Sequence, residues 1–379
     1  MKNDSFQSEF KLNEGLIYLN HAAVSPWPLR TAKAVQSFAE ENLTLGSLNY
    51  PQWLNVESSL RRQARELLNA RSADEIALLK NTSEALSVVA YGLDWQAGDN
   101  IVSTDQEFPS NRIVWQSLSS KGVELREANL SAHNSPEDAL FKLTDSNTKL
   151  ISVSSVQYLT GLRMDLNKIG EFCNEREILF CVDAIQSLGA LEFNVQNCGA
   201  HFVMADGHKW MLGPEGLAIF YCDSQVRDRL SLKQYGWHMV EHAGDFDRKD
   251  WKIATSASRF ECGSPNMLGI HALDASLSLL LEAEINIVEQ EVLKRSNYLI
   301  DMINGDNRFE LLTTSEPGRY AGIVTFKRKN IDNELLYKYL MSNNVICAYR
   351  SGAVRFSPHF YTPLDHLEKA VGMSLGFNG

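Results

Sequence analysis

The chain has 379 residues, of which 44% are hydrophobic, so it is long enough to bury a core in two domains or in one large α/β domain. Its formal net charge at pH 7 is −11, which argues against nucleic acid or an anionic membrane surface as the main partner, because both would repel it. The first ten residues are polar, and no apolar run approaches the roughly 20 residues that span a bilayer. The sequence therefore predicts a cytoplasmic globular protein whose partners are small molecules or other proteins.

The cysteines are scattered, without a Cys-x-x-Cys pair or the spacing of a metal site. They are Cys173, Cys181, Cys198, Cys222, Cys262 and Cys347. Several fall within apolar, strand-like runs, where cysteine acts as a small hydrophobic residue. We therefore expect buried free thiols and no bound metal.

Short apolar runs alternate with helix-like segments between about residues 75 and 222. The runs are continuous and rich in branched or aromatic residues, which is typical of buried strands. The predicted strands are residues 100–103, 149–154, 178–182, 201–204 and 217–221. Residues 166–175, between two of them, have helical spacing. This alternation predicts a mostly parallel sheet covered by helices, a fold in which ligands bind at the carboxyl ends of the strands.

The pattern changes after Pro265, where helices and short strands indicate a second, smaller α/β unit with antiparallel strands. The predicted helices are residues 270–284, 289–302, 333–341 and one that starts at Pro363, and the predicted strands are residues 322–326, 345–348 and 353–356. No internal repeat or low-complexity linker separates the two units, so we expect them to pack closely. The predicted division is an N-terminal arm at 1–17, a large domain at 18–258 and a small C-terminal domain at 259–379.

Two predicted strands end in polar residues that could carry chemistry. Asp183 closes an apolar strand and is followed by Gln186, while Lys209 follows the next strand and precedes a turn with Gly213 and Pro214. Taken singly, Asp183 is interpreted as a helix cap and Lys209 as a surface lysine, because those roles are commoner. An unpaired buried carboxylate is costly, so Asp183 would otherwise need a buried cationic partner.

Helix starts and one further strand offer groups that suit anions. Thr82 and Ser83 open an apolar helix with hydroxyls and free backbone N–H groups, although an ordinary helix cap has the same residues. Phe108 follows another strand end, where core packing is the alternative, and residues 259–266 form a tight turn before a helix. Arg355 lies in an otherwise apolar strand, where it pairs either with an internal carboxylate or with the carboxylate of a substrate.

Together these features form the set that pyridoxal 5′-phosphate (PLP) requires. The cofactor needs a Schiff-base lysine, a carboxylate on its pyridine nitrogen, a ring that stacks on it and a cup for its phosphate. Strand ends supply the lysine, the aspartate and the aromatic ring, and helix starts supply donors for the phosphate. Asp183 precedes Lys209 by about two dozen residues, the length of one strand-to-strand step.

The sequence resembles the class V aminotransferase family of fold-type I PLP enzymes, which includes cysteine desulfurases, kynureninase and isopenicillin N epimerase. The resemblance covers residues 18–361 and rests on the combination of residues 182–186, 208–209 and 213–216. It implies the α/β fold of a fold-type I PLP-dependent transferase. In that fold a large domain with a mostly parallel central sheet carries a smaller C-terminal α/β domain.

The resemblance also implies which residues hold the cofactor. Lys209 corresponds to the Schiff-base lysine and Asp183 to the partner of the pyridine nitrogen, which stays protonated so that the ring can accept electrons from Cα. Gln186 corresponds to the residue that hydrogen-bonds the ring 3′-oxygen, and Phe108 to the stacking ring. The phosphate cup is matched by Thr82, Ser83 and His208, and a ring-edge contact by Gln157.

By the same resemblance, a small amino acid is the substrate and the protein is a homodimer. Arg355 corresponds to the arginine that binds the substrate carboxylate, and His21 and Tyr158 correspond to residues that line the substrate pocket. Gly263 and Ser264 correspond to a turn that reaches the phosphate of the neighbouring subunit. The active sites would then be shared between subunits.

Two departures from the family pattern bear on the site. The family often has serine three residues before the lysine to bind phosphate, whereas this chain has Asp206, and we expect its carboxylate to point elsewhere because phosphate would repel it. Cysteine desulfurases carry a nucleophilic cysteine on a loop before the arginine, but residues 349–355 contain none. Cys347 lies earlier, within an apolar strand where a buried thiol is inert. The sequence thus argues against desulfurase chemistry that forms a protein persulfide.

Three functions stay open on the sequence. The first is an enzyme in which Lys209 moves protons at Cα and which, as the family name suggests, performs transamination. The second is β-elimination from a sulfur-containing amino acid, which the kinship to desulfurases favours. The third is a non-catalytic protein with the PLP fold, against which the complete set of Lys209, Asp183, Gln186 and Arg355 argues. A nicotinamide-binding enzyme is disfavoured because no Gly-x-Gly-x-x-Gly follows the first strand.

Overall fold

A computed structural model describes residues 6–132 and 135–378, which contain a seven-stranded sheet, a four-stranded sheet and a two-stranded pairing. The strands are β1 (Ile17–Tyr18), β2 (Ile76–Leu79), β3 (Asn100–Thr104), β4 (Glu124–Ala128), β5 (Thr148–Ser154), β6 (Leu179–Asp183), β7 (Phe202–Asp206), β8 (Ala218–Cys222), β9 (Phe309–Leu311), β10 (Val324–Arg328), β11 (Val345–Ile346), β12 (Ala348–Arg350) and β13 (Ala353–Phe356). The helices are α1 (Leu29–Leu45), α2 (Tyr50–Leu68), α3 (Thr82–Gly92), α4 (Pro109–Gln116), α5 (Pro136–Phe141), α6 (Leu166–Glu175), α7 (Val195–Cys198), α8 (Met267–Glu282), α9 (Ile285–Asn304), α10 (Asn333–Ser342) and α11 (Leu364–Gly376).

The seven-stranded sheet has the strand order β2-β8-β7-β6-β5-β3-β4 and is parallel from β7 to β4. Strand β8 runs antiparallel to both of its neighbours. Every residue of β3, β6 and β8 is buried, as expected for strands that helices cover on both faces. Each of the five strands predicted in this region overlaps an observed one, and the predicted helix at 166–175 is α6. The predicted fold class is confirmed.

The topology of this sheet fixes where a ligand can bind. Strand β3 continues to β4 at one edge, whereas β5 continues to β6 and β7 toward the other edge, so the strand order reverses between β3 and β5. Open α/β sheets bind ligands beside such a reversal, at the carboxyl ends of the strands. In this chain those ends are Thr104, Ser154, Asp183 and Asp206.

The small sheet has the order β12-β13-β10-β9 and is antiparallel throughout, as predicted. The single strand predicted at 345–348 is wrong. The chain divides at Cys347 into β11, which pairs in parallel with β1, and β12, which pairs with β13. The strand that pairs with β11 lies more than 300 residues earlier in the chain, with Ile17 opposite Val345. A pattern of apolar residues along one segment cannot predict such a long-range pairing.

Helix α8 packs on α1 and α2. Its residues Ile270, Leu273 and Leu277 belong to the same hydrophobic cluster as the large sheet, although they follow the domain boundary predicted after residue 258. The small sheet, α9, α10 and α11 share a separate cluster. The predicted boundary itself stays a prediction. Within the described ranges, every helix is too short or too polar to cross a lipid bilayer.

Candidate active site

The carboxyl ends of the parallel strands bring Asp183 and Lys209 to one edge of the sheet. Lys209 follows β7 by three residues, in a turn closed by two backbone hydrogen bonds. The Leu212 N–H donates to the Lys209 carbonyl at 3.0 Å, and the Gly213 N–H donates to the Gly207 carbonyl at 2.8 Å. Leu212 has a φ of +60°, which costs a non-glycine residue about 1–2 kcal/mol. Packing around the turn therefore holds the lysine in place.

The amine of Lys209 lies in a setting that favours its neutral form. Its Nζ is 5.7 Å from the centre of the Phe108 ring. Burial lowers the pKa of Lys209 from its usual 10.5 to about 8, and the charge of Arg355 acts in the same direction, while Asp183 and Asp206 oppose it. At pH 7 about a tenth of such an amine is neutral. The neutral amine is the form that attacks a carbonyl and that can take a proton from carbon.

Asp183 is 2% exposed and has its carboxylate held at both oxygens. It accepts hydrogen bonds from the Asn111 amide at 2.7 Å and from the Ile185 N–H at 2.9 Å. Burial raises the pKa of Asp183, whereas the bond from Ile185 and the charge of Lys209 lower it. The interpretation of Asp183 as a helix cap is wrong, because turns and not a helix follow it. A buried carboxylate at this position suits the protonated ring nitrogen of a cofactor.

Phe108 has the exposed ring that the sequence predicts for a stacking position. The ring is 44% exposed and meets the ring of Tyr158 edge-on, with 5.3 Å between the ring centres. Asn111, whose amide holds Asp183, comes three residues later, and sequence reasoning did not assign it to the site. The available signal was its place in the polar stretch that follows strand β3.

Glu107 is a second residue of the site that sequence reasoning missed. It is buried and accepts hydrogen bonds from the Ser154 N–H at 2.9 Å, from the Gln157 amide at 3.1 Å and from the Thr104 hydroxyl at 3.0 Å. Burial raises its pKa, and the bonds from Ser154 and Gln157 oppose that rise. Glu107 therefore ties together the ends of β3 and β5 and orients the Gln157 amide. Its position directly before Phe108 was the signal.

Gln186 is buried and uses both ends of its amide. Its Oε1 accepts from the Trp210 indole N–H at 2.9 Å, and its Nε2 donates to the Ala22 carbonyl at 3.1 Å. One N–H of Nε2 remains for a cofactor, because a primary amide has two. The contact with the ring 3′-oxygen stays a prediction.

His21 is fully buried and uses both of its ring nitrogens. Nδ1 lies 2.8 Å from the Ser357 carbonyl, and Nε2 lies 2.7 Å from the Tyr361 hydroxyl. Burial lowers the pKa of His21 to about 4, so the ring is neutral at pH 7, donates from Nδ1 and accepts at Nε2. No nitrogen of His21 is left to hydrogen-bond a substrate, and its place in the lining of the substrate pocket stays a prediction. The residue joins the N-terminal segment to the chain after β13.

Arg355 is a buried cation without an acidic partner among the described residues. It is 2% exposed, and its Nη1 donates to the Tyr158 carbonyl at 2.6 Å. Its Nε has no hydrogen-bond partner within the described ranges. Burial lowers the pKa of Arg355 to about 10, and the charge of Arg350 acts in the same direction. Of the two interpretations open on the sequence, pairing with an internal carboxylate is wrong for the described chain. The guanidinium is available for the carboxylate of a ligand.

The start of helix α3 carries the predicted phosphate cup. The hydroxyl of Thr82 and Nδ1 of His208 are buried and have no hydrogen-bond partner within residues 6–132 and 135–378. Burial lowers the pKa of His208 to about 4. The hydroxyl of Ser83 donates to that of Ser110 at 2.9 Å. Asp206 accepts a hydrogen bond from the Thr82 N–H at 3.0 Å. The expectation that Asp206 points away is therefore wrong, because its carboxylate lies in the cup.

Gly263 and Ser264 lie apart from these residues within one chain. They line a cavity of about 270 Å³ together with Lys80 and Glu84, and Lys209 is not part of its lining. Their predicted contact with the phosphate of a neighbouring subunit stays a prediction.

Several buried polar atoms of the site have no hydrogen-bond partner among the described residues, as expected where a ligand binds. Each such atom costs about 1–3 kcal/mol in a folded protein. In this site they are Thr82 Oγ1, Asn111 Oδ1, Gln157 Oε1, His208 Nδ1 and Arg355 Nε. The same site contains Lys209, whose amine is partly neutral at pH 7, the buried carboxylate of Asp183 and the exposed ring of Phe108. These residues fit PLP and the carboxylate of an amino acid.

Comparison with known proteins gives the family. The family model described as aminotransferase class-V matches residues 17–367. The chain belongs to the class V aminotransferase family. The probable cysteine desulfurase of Methanothermobacter thermautotrophicus is 28% identical over 395 residues, covering 97% of this chain and 96% of that protein. The uncharacterized aminotransferase YcbU of Bacillus subtilis is 27% identical over 341 residues, covering 90% of this chain and 88% of that protein.

The fold is shared with class V enzymes of known structure. A complex of the cystine C–S lyase C-DES with its product cysteine persulfide has a TM-score of 0.90 to this chain at 21% identity, covering 97% of this chain and 99% of that one. Class V aminotransferases use PLP, so the predicted cofactor is confirmed. When bound, PLP withdraws the electrons that a broken bond leaves at Cα. Lys209, Asp183 and Phe108 would hold its ring, and Thr82 and His208 its phosphate.

Most cysteines of this class V family member lie in the protein interior. Five of the six are buried free thiols, as predicted, and Cys262 is partly exposed. Burial raises the pKa of Cys347 to about 12, so its thiol stays protonated at neutral pH. Residues 349–355, which lead to Arg355, contain no cysteine.

Proposed function

We propose that the protein catalyses β-elimination from a small sulfur-containing amino acid and releases the sulfur directly into solution. The observation that carries the proposal is Arg355, a buried cation without an acidic partner among the described residues. The charge of Arg355 lowers the pKa of Lys209, so the two side chains lie close enough to interact. A carboxylate bound by Arg355 would therefore bring Cα of an amino acid near the lysine. The names of a cysteine desulfurase and a cystine C–S lyase among the similar proteins favour sulfur at Cβ.

The residues of the site divide the work of this reaction. Arg355 binds the α-carboxylate, and the neutral amine of Lys209 removes the proton from Cα. The Cβ–S bond then breaks with both electrons going to sulfur, and water completes the conversion of the remaining three carbons to pyruvate and ammonia. The carboxylate of Asp183 would stabilise the protonated ring nitrogen of the cofactor. The positive charge of the ring would in turn stabilise the electrons left at Cα. Because residues 349–355 lack cysteine, we expect sulfur to leave without forming a persulfide on the protein.

Transamination is the second candidate, supported by the aminotransferase name of the relative in Bacillus subtilis. It uses the same three residues, Lys209, Asp183 and Arg355, and the two reactions diverge only after the Cα proton has been removed. In transamination Lys209 would hold the proton taken from Cα and give it back later, and a keto acid would accept the amino group. In elimination the leaving group departs first.

An amino-acid panel separates the two reactions. The holoenzyme is incubated with cysteine, cystine, alanine and aspartate, with and without a keto acid, and pyruvate, ammonia, sulfide and exchanged amino groups are measured. We expect pyruvate and ammonia from a sulfur-containing amino acid without a keto acid, and no product from the Lys209→Ala variant. If products form only when a keto acid is present, the reaction is transamination and the proposal of elimination is wrong. Bound PLP with no spectral change across the panel would favour a non-catalytic binding protein.

We also propose that the protein acts as a homodimer in the cytoplasm. Gly263 and Ser264 lie in a turn before α8, where a neighbouring subunit could use them as phosphate contacts. Sedimentation would show a dimer, and a heterodimer of Lys209→Ala and Ser264→Ala subunits would test whether the sites are shared. Retained PLP affinity at the intact lysine of such a heterodimer would support sharing, because that site would then take its Ser264 from the other subunit. Reduced affinity would argue against sharing.

A further inference from the structure

Asp206 places a carboxylate where the cofactor phosphate is expected to bind. It is the last residue of β7, and its Oδ1 accepts the Thr82 N–H, the first donor of helix α3, at 3.0 Å. Its Oδ2 lies 3.8 Å from Nδ1 of His208, too far for a hydrogen bond. Thr82 is 4% exposed, and its hydroxyl has no hydrogen-bond partner in the part of the chain that the structure describes. The carboxylate of Asp206 thus already occupies a donor that would otherwise bind the cofactor phosphate.

The charges around Asp206 are mostly negative. Asp183 on β6 and Glu215 after the lysine turn disfavour its ionised form, and Lys209 favours it. Burial is the largest influence and raises the pKa of Asp206 to about 7. His208 does not compensate, since burial keeps its ring neutral. On α3, Glu84 accepts the Lys80 N–H at 2.6 Å, away from the Thr82 N–H that Asp206 holds.

A phosphate monoester brings a charge of about −1.5 to −2 at pH 7. If Asp206 stayed ionised, two anions would compete for the Thr82 N–H and repel each other in a partly buried site. A protonated carboxyl group removes the repulsion and adds an O–H donor that phosphate oxygen can accept. We propose that Asp206 is a cofactor-binding residue that acts in its protonated form, so that the cup takes up one proton together with the phosphate.

The proposal gives the pH dependence of cofactor affinity a definite sign. Below the pKa of Asp206 in the free protein, the residue is already protonated and phosphate binding costs nothing extra. Above it, the proton must be taken from solution, so the affinity for the phosphate falls by about tenfold for each pH unit. Lys209 acts in the opposite direction, because its neutral form increases as the pH rises. The two effects have to be separated by experiment.

Pyridoxal, which has the aldehyde but no phosphate, provides that separation. The dissociation constants of PLP and pyridoxal for the apoprotein are measured between pH 7 and 9, where the phosphate of free PLP is dianionic. Bond formation with Lys209 is common to both compounds and cancels in their ratio. We expect the ratio of the PLP constant to the pyridoxal constant to rise by about tenfold per pH unit. A flat ratio would overturn the proposal.

A matched pair of variants assigns the effect to one carboxylate. Asp206→Asn keeps an oxygen that can accept the Thr82 N–H but cannot ionise, so the pH dependence of the ratio should disappear. Glu215→Gln removes a neighbouring negative charge outside the cup and should keep the dependence. A slope that persists in Asp206→Asn would show that another group titrates.

Calorimetry tests the proposal without any variant, should Asp206→Asn fail to fold. Binding of PLP and of pyridoxal is measured at pH 8 in buffers of different ionisation enthalpy, which counts the protons exchanged. We expect PLP to take up close to one proton more than pyridoxal. Equal proton counts would mean that Asp206 stays ionised and merely holds the Thr82 N–H. Because both experiments measure cofactor binding, their failure is distinct from failure of the proposed elimination reaction.

Discussion

Replacing Arg355 by methionine should stabilise the protein and at the same time abolish tight binding of the amino acid. Methionine has similar length, is apolar and fills irregular space. The opposed directions follow from one feature, a buried charge that has no acidic partner among the described residues until a substrate arrives. An arginine that served the fold would instead lose stability when replaced.

The magnitude follows from the electrostatics of the ligand-free site. Burial lowers the pKa of Arg355 from 12.5 to about 10, and a lowered pKa of a base means that the folded state disfavours its charge at every pH below about 10. At about 1.4 kcal/mol per pH unit, keeping the charge buried costs about 3 kcal/mol at pH 7. Loss of the hydrogen bond to the Tyr158 carbonyl offsets about 1 kcal/mol of the relief. We expect Arg355→Met to raise the free energy of unfolding by about 1–3 kcal/mol.

Substrate binding should change in the opposite sense. Removing one partner of a buried, hydrogen-bonded charge pair costs about 2–5 kcal/mol, so the affinity for an amino acid should fall by roughly 30-fold or more. Stability is measured by urea unfolding of the PLP-saturated protein, and affinity by the change in cofactor absorbance on titration with the amino acid.

Arg328 provides the matched control. It is a buried arginine of the same small sheet, but it donates to the Ser374 and Leu375 carbonyls at 3.1 Å, at the end of α11. Arg328→Met should therefore lower the free energy of unfolding and leave amino-acid affinity unchanged. If Arg355→Met behaves like Arg328→Met in both measurements, Arg355 is structural and the assignment of the substrate carboxylate fails.

Three further outcomes are expected. Lys209→Ala should lose the borohydride-trappable chromophore near roughly 420 nm that Lys168→Ala keeps; a retained chromophore would point to another lysine. Capture of pyridoxal by the apoprotein, followed by stopped-flow absorbance, should accelerate as the pH rises through about 8, because burial lowers the pKa of Lys209. Asp183→Asn should move that midpoint lower, since Asp183 raises the pKa, and a wild-type midpoint near 10.5 would contradict the burial argument. Cys347→Ala should keep the rate of sulfur release, and detection of a protein persulfide on wild-type protein by mass spectrometry would refute the direct route.

Local sequence sufficed for five of the seven strands of the large sheet, whereas β2 and β4 were not predicted. Buried parallel strands are short, continuous apolar runs, and β5, β6 and β7 are such runs with covering helices between them. Asp183 and Lys209 could be found because each directly follows a strand, and in a parallel sheet strand ends meet at one edge. The same logic identified Phe108, whereas Thr82 and Ser83 were identified as the start of an apolar helix.

Long-range pairing and burial were beyond the reach of local patterns. The division of residues 345–350 at Cys347 depends on β1, a partner more than 300 residues away. Asn111 contacts Asp183 on β6, and Glu107 contacts Ser154 on β5. Neither contact can be predicted from residue spacing along the chain. The hydrogen bonds of His21 to Ser357 and Tyr361 join segments more than 330 residues apart, so no local pattern predicts them.

Electrostatic roles depended most on the tertiary structure. Whether Arg355 has an acidic partner, and whether Asp206 faces the cup or turns away, are questions about which side chains surround a charge in three dimensions. The sequence determined by itself that this chain folds as an α/β protein with a lysine and an aspartate at neighbouring strand ends. Packing then decided which of its charges are buried without compensation, because the energy of a charge depends on its whole surroundings and not on its neighbours along the chain.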